Sequence, residues 1–359
     1  MDPKTGDIAL PVDLIRAVAI VLVILLHASI EGVPNLDIMS PAGVQLWWTS
    51  NIYDSMARSA VPLLVMLTGA LLLQPKKVDE SIGTFFKKRW NRVGIPVLFW
   101  MVIFFLWDLT VKDQAFTPLF VVQNILAGPY VHFWFVYALL GLYLITPVIR
   151  ILVAHADWRI IRYVLILWFI GTGIASLLTL YAAISPQAVW FNDNVFLFTG
   201  LIGYFILGAY VNRLQVRKSI LFVGLIISTL STILGTFLIV GNLGEYYGPF
   251  LLDASSFSTI LASVSLFLIL ATIPRQKIQN NFPRANRIIK VISENSLPIY
   301  LFHFIVLETL QYGYLGFRLS VTTLNPIVEI PLLTAITLLI CLLIIVPIKK
   351  IPYAKRVIG

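Results

Sequence analysis

Apolar residues run through this chain in long blocks separated by short polar segments. Ten blocks approach the length that spans a bilayer: 12–30, 56–73, 94–109, 133–153, 160–181, 195–211, 220–240, 257–273, 297–314 and 327–348. Apolar and polar residues do not alternate within them, which excludes barrel strands. Hydrocarbon offers backbone groups no partners, so helices remain. The pattern predicts an all-α polytopic membrane protein of about ten transmembrane helices. It shows no repeat or low-complexity tract, so residues 1–359 read as a single transmembrane domain. The segment 118–127 reads as a short surface helix, and Gly128-Pro129 breaks the chain before the fourth block.

Composition supports this class. The 359 residues are 59% hydrophobic and 12% charged, with a mean hydropathy of +0.90. A soluble domain carries about twice that share of charge. The net charge of +9 does not call for nucleic acid, because its distribution has another explanation. With the N-terminus in the cytoplasm and alternating spans, 22 of the 26 Lys and Arg fall in cytoplasmic segments. Only Lys112 and Arg318 fall outside, and Arg16 and Arg58 lie in or at helices. The positive-inside rule then predicts both termini in the cytoplasm and a multi-pass protein of the plasma or inner membrane. The first block lacks a small-residue cleavage signature after it and reads as a retained helix.

The single cysteine, Cys341, lies in the last block, and the four histidines (His27, His132, His155, His303) are scattered. No metal-binding motif or disulfide framework is present in the sequence, so neither a metal nor a bound cofactor is expected. His155 reads as a solvated loop residue, and His132 as exposed at the membrane mouth.

Polar residues inside the apolar blocks carry the functional question. Asp13, Arg16 and His27 belong to the first helix. Arg16 and His27 are eleven residues apart, which puts them on one side of a helix about 16 Å apart. An ionisable group at membrane depth is costly unless it faces a protein interior or a wet cavity. Arg16 either snorkels to the interface, pairing with Asp13, or grips substrate with its forked donors. His27 either caps a buried carbonyl or acts as a general base. Glu31, one turn on, either orients His27 or begins a solvated loop.

Other positions allow the same two kinds of reading. Trp47, Trp48 and Tyr53 sit in a predicted outer loop, 31–55, as interface anchors, and Tyr53 also joins the substrate candidates. Arg58 follows Asp54 by four residues, either as a helix-end ion pair or as a group that steadies an oxyanion. Lys87, Lys88, Arg89 and Arg92 either set topology against anionic lipid or attract a polyphosphate. Trp134 and Tyr137 share a helix face and suit either a sugar path or the aromatic belt. Tyr300 and His303 lie one turn apart on the ninth block, with His303 inside the bilayer as a second site histidine or a satisfied packing residue.

Several of these positions fall in ordered motifs: D-x-x-R then ten residues then His at Asp13, Arg16 and His27; N-I-Y-D-S-M-A-R-S from Asn51; F-F-K-K-R-W-N-R-V-G-I-P-V-L-F-W from Phe85; H-F-W-F-V-Y-A-L-L-G-L-Y-L-I-T-P from His132; and S-L-P-I-Y-L-F-H from Ser296. Together they resemble the acyltransferase family 3 membrane proteins, and the second motif resembles the branch that includes the O-acetyltransferase of enterobacterial common antigen. The resemblance implies ten helices and transfer of an acyl group, most often acetyl, from cytoplasmic acyl-CoA to a carbohydrate hydroxyl. In that reading His27, Arg16 and Arg58 are catalytic. Asp13, Tyr53, Asp54, Trp134, Tyr137, Tyr300 and His303 hold substrate, and Lys88, Arg89 and Arg92 hold acyl-CoA.

Two rival classes remain. A transporter or flippase would use the intramembrane Arg and His as a substrate or proton pathway, but the sequence shows no paired interrupted segments. A different membrane-bound O-acyltransferase family also uses an intramembrane His, but the Arg-ten-residues-His spacing in the first helix does not suit it.

Overall fold

The computed structural model describes residues 10–30, 40–126, 128–184, 199–320 and 323–359. Every regular element among them is a helix: α1 (Val12–Ile30), α2 (Pro41–Ala57), α3 (Ala60–Leu72), α4 (Ile82–Arg89), α5 (Ile95–Thr110), α6 (Pro118–Leu126), α7 (Phe133–His155) and α8 (Trp158–Ile184). After them come α9 (Thr199–Ala209), α10 (Lys218–Leu243), α11 (Phe257–Ala271), α12 (Arg275–Asn281), α13 (Pro283–Glu294), α14 (Ser296–Tyr312), α15 (Pro326–Ile348) and α16 (Pro352–Ile358).

Seven of the described helical runs are long and apolar enough to cross a membrane, or eight if the 62° bent pair α11–α12 is one span. Two of the ten expected spans appear as shorter helices, α9 of 11 residues and α14 of 17. Glu31, with the rest of 31–39, lies outside the described residues, as does the start of the expected 195–211 span.

The expected outer loop 31–55 is corrected from residue 41 onward. Helix begins at Pro41, and α2 and α3 form one apolar run, Pro41–Leu72, interrupted only at Arg58 and Ser59. Pro41 suits the first turn of a helix, and the Ser40 hydroxyl caps it by accepting from the Gly43 amide at 3.1 Å. Some of the polar residues that read as loop find partners inside the protein. Asn51, fully buried, donates its side-chain amide to the Ile233 carbonyl of α10 at 3.0 Å.

The third run is also longer than its apolar block. A π-turn, Trp90–Gly94, joins α4 to α5, and the Ile95 amide reaches back to the Trp90 carbonyl. Pro96 has no N–H for the ordinary helical bond at this point, which permits the wider turn. Gly94 leaves room there for the Trp90 ring, which a Cβ would approach to 2.5 Å and push aside.

α1 is the hub, packed against α2, α3, α11, α13, α14 and α15. α3 and α9 cross backbone to backbone. A Cβ on Gly69 would lie 1.8 Å from the Phe205 carbonyl oxygen, and one on Gly208 would lie 1.9 Å from that of Met66. Small residues at a crossing let apolar helices gain close packing where lipid supplies no hydrophobic drive.

Candidate active site

α14 runs beside α1 and brings His303 to His27 across 276 positions of sequence. His303 Nε2 lies 3.2 Å from His27 Nδ1, and the ring centroids are 5.0 Å apart. His27 Nδ1 also lies 2.9 Å from the Val23 carbonyl one turn back, and His303 Nδ1 is 2.7 Å from the Tyr300 carbonyl. Both carbonyls can only accept, so each Nδ1 carries hydrogen in the neutral rings. His27 Nε2 is then the nitrogen with a free lone pair. His303 is fully buried, whereas His27 keeps part of its surface open.

A third histidine closes the cluster. His132, immediately before α7, has its ring 5.3 Å from that of His303 and 6.3 Å from that of His27. It stacks on Phe304 at 5.1 Å and is fully buried. The expectation of an exposed His132 is therefore corrected. The turn at 128–132 folds inward, and Tyr300 holds it by donating to the His132 carbonyl at 2.5 Å. Tyr300 thus belongs to the cluster.

Arg58 stands at the break between α2 and α3, its Nη2 on Asp54 Oδ2 at 2.5 Å. Asp54 is fully buried, and the Arg58 charge acts on the His27 ring. Arg58 Nε and Asp54 Oδ1 are buried without partners. The pair predicted from the i,i+4 spacing is present, now well inside a membrane-length run.

At the other end of α1, the Ser293 hydroxyl of α13 bridges Asp13 and Arg16. It donates to Asp13 Oδ1 at 2.8 Å and accepts from Arg16 Nη1 at 3.3 Å. Asp13 also meets Arg275 at 3.9 Å. Arg16 of α1, Arg89 of α4 and Arg92 of the π-turn all lie within electrostatic range of the buried Tyr143 hydroxyl of α7. Arg89 lies 5.6 Å over the Phe85 ring and 5.9 Å over that of Tyr143, with its Nε buried and unpartnered. Lys88 pairs instead with Glu80 at 2.7 Å.

Three other predicted residues have different surroundings. The Tyr53 hydroxyl donates to the Ile327 carbonyl at 2.8 Å and ties α2 to the start of α15. The Tyr137 hydroxyl donates to the Ile125 carbonyl of α6 at 2.6 Å. Trp134 is half exposed, its ring against Phe135.

The structure adds groups that sequence reasoning passed over. Glu308, one turn beyond Phe304 on α14, accepts from Lys112 at 2.5 Å, Trp107 at 3.0 Å and Tyr130 at 2.8 Å. Asp108 shares Tyr130 at 3.0 Å. This network braces the ends of α5 and α14 beside the His132 turn. Its carboxylates sit singly in apolar runs, and that was the signal available in the sequence. Among the described residues no group of His, Cys, Asp and Glu is arranged to hold a metal ion.

These features define a class: an all-helical membrane protein with a buried histidine cluster at one end of its central helix and arginines at the other. The acyltransferase domain model Acyl_transf_3 matches residues 11–346, and the chain belongs to that family. It is a membrane acyltransferase. Comparison with curated proteins and with solved structures gives no match.

Proposed function

We propose that this protein transfers an acyl group, acetyl in the first instance, from cytoplasmic acyl-CoA to a hydroxyl of a cell-surface polysaccharide or lipid-linked glycan. The observation that carries the reading is the division of α1 between the Arg16 end, with its cluster of guanidinium groups, and the His27 end, with a free imidazole lone pair. The arginines suit the phosphates of coenzyme A, with Arg16, Arg89 and Arg92 as the grip. His27 Nε2 takes the hydroxyl proton as the hydroxyl oxygen attacks the thioester carbonyl. The carbon–sulfur bond then breaks, and the coenzyme A thiolate recovers that proton. Arg58 faces the negative charge that develops on the carbonyl oxygen. The surrounding helices keep bulk water away, which strengthens that interaction.

The test is transfer of radiolabelled acetyl from acetyl-CoA in membranes containing wild type or His27→Ala. Label entering a polysaccharide or lipid-linked glycan with wild type alone supports the reading. Equal labelling by both removes His27 as the base. A transporter or flippase is the second reading, favoured by the 62° bend between α11 and α12, since discontinuous helices bind substrates in transporters. Substrate movement across vesicles without acyl transfer selects it.

A further inference from the structure

We propose that His303 is a positioning residue for His27, the second acceptor for its Nδ1–H, and that it shares this Nδ1 proton when His27 becomes an imidazolium during transfer. This rests on the reading of His27 as the general base. With hydrogen on each Nδ1, the close contact between the rings has one consistent sense. His27 Nδ1–H is forked between the Val23 carbonyl at 2.9 Å and His303 Nε2 at 3.2 Å. His303 Nε2 can accept because its own Nδ1–H is engaged at the Tyr300 carbonyl, 2.7 Å away. When His27 Nε2 takes the hydroxyl proton, the ring becomes an imidazolium, and its Nδ1–H binds both acceptors more strongly. His303 then occupies the place a carboxylate fills in a Ser-His-Asp triad, holding the base ring and stabilising its charged form.

The surroundings favour a shared proton over a charge resting on His303 itself. His303 is fully buried between the His132 ring at 5.3 Å and the Phe304 ring at 6.0 Å. The titratable and charged groups that face the pair are His132 and Tyr130 from the turn before α7, Tyr300 on α14 and Arg58 at the break in the second run. The Asp54 carboxylate beside them is engaged by Arg58, so the lone pair of His303 is the acceptor set against His27 Nδ1.

The experiment compares pH–rate profiles of wild type, His303→Phe and His303→Gln in the full chain. Phe keeps a ring but loses the acceptor, and the Gln side-chain oxygen restores one. The Phe variant is expected to lose about 100-fold in kcat with unchanged KM for acetyl-CoA. Its acidic limb should move to lower pH, because losing the acceptor disfavours the imidazolium. The Gln variant should recover at least tenfold and return the limb. Loss of rate with an unmoved limb, or equal loss in both variants, overturns the proposal. A second measurement needs no activity: in 15N-histidine protein, a nitrogen–nitrogen coupling across the hydrogen bond between His27 Nδ1 and His303 Nε2. Its presence supports the pairing and its absence overturns it. A wild type that shows the coupling but transfers no acetyl would refute the proposed function and leave the pairing intact.

Discussion

Arg58 and Arg16 have different surroundings, and the proposed reaction gives them different tasks. Arg58 has one arm on Asp54 while its Nε is buried without a partner. Leaving such a group unsatisfied costs about 1–3 kcal/mol in the resting protein. An anionic oxygen formed only during reaction would satisfy it. Arg58→Lys keeps the charge but loses the planar fork. It should therefore lower kcat about 100-fold with little change in KM for acetyl-CoA, as steady-state kinetics would show. Arg16 sits at the far end of α1 among Arg89 and Arg92. Arg16→Gln is expected to raise KM for acetyl-CoA about tenfold, the equivalent of one lost charge-assisted contact, while kcat at saturation holds. Exchange of these two outcomes between the variants would place the donor at the wrong end. Arg16, His27 and His303 could be picked out in the sequence because ionisable groups at membrane depth need a reason. His132 could not, because it follows a Gly-Pro break and reads as part of a surface loop until Tyr300 draws the turn inward.

Helix positions in this protein depend on close backbone approaches as much as on apolar length. The α3–α9 crossing leaves no room for a methyl group at Gly69 or Gly208, where the obstacle is a carbonyl rather than a movable side chain. Gly69→Ala should destabilise by about 1–3 kcal/mol through overpacking, read as a lower Tm in detergent. Gly141→Ala on α7, where nothing lies within 4 Å of the new methyl, is the control expected to show no loss. Equal behaviour would mean that the crossing is not tight. The same kind of contact explains why apolar blocks misplace boundaries. α2 begins fifteen residues before its apolar block because internal partners such as the Ile233 carbonyl replace water. α4 and α5 run together through a π-turn made possible by Gly94 and Pro96.

The charge distribution acts on the whole molecule. Arg150, a topology residue in the sequence, is almost fully buried and ties elements together. It donates to the Leu72 carbonyl at 2.8 Å and the Lys77 carbonyl at 3.2 Å, and pairs with Glu80 at 2.9 Å. It thereby holds the 73–81 connection that leads to Arg89. The Lys88 hydrogen bond, followed by that of Arg150, holds the Glu80 carboxyl below the usual carboxylate range against the opposing effect of burial. A lowered value means that the stabilisation is complete above the ordinary value near 4.5 and is lost as pH falls through the folded one. Wild type should therefore lose Tm relative to Glu80→Gln as pH drops below about 4.5, and exceed it at pH 7. Parallel curves would show that Glu80 is not coupled to folding. The proposed orientation makes its own prediction: tags on both termini should be reached by protease from the cytoplasmic side only.

The sequence by itself determined that this is a helical membrane protein, which end of its first helix carries Arg16 and which carries His27, and that Arg58 and Asp54 share a helix face. Those properties follow from composition and helical period, which are local. Tertiary structure alone decided that His303 and His132 meet His27, that Arg16 reaches Asp13 through Ser293, and that Arg16, Arg89 and Arg92 come within electrostatic range of Tyr143. Each of those contacts joins residues far apart in the chain. Nothing in a local pattern encodes them, because packing among the helices sets which faces meet.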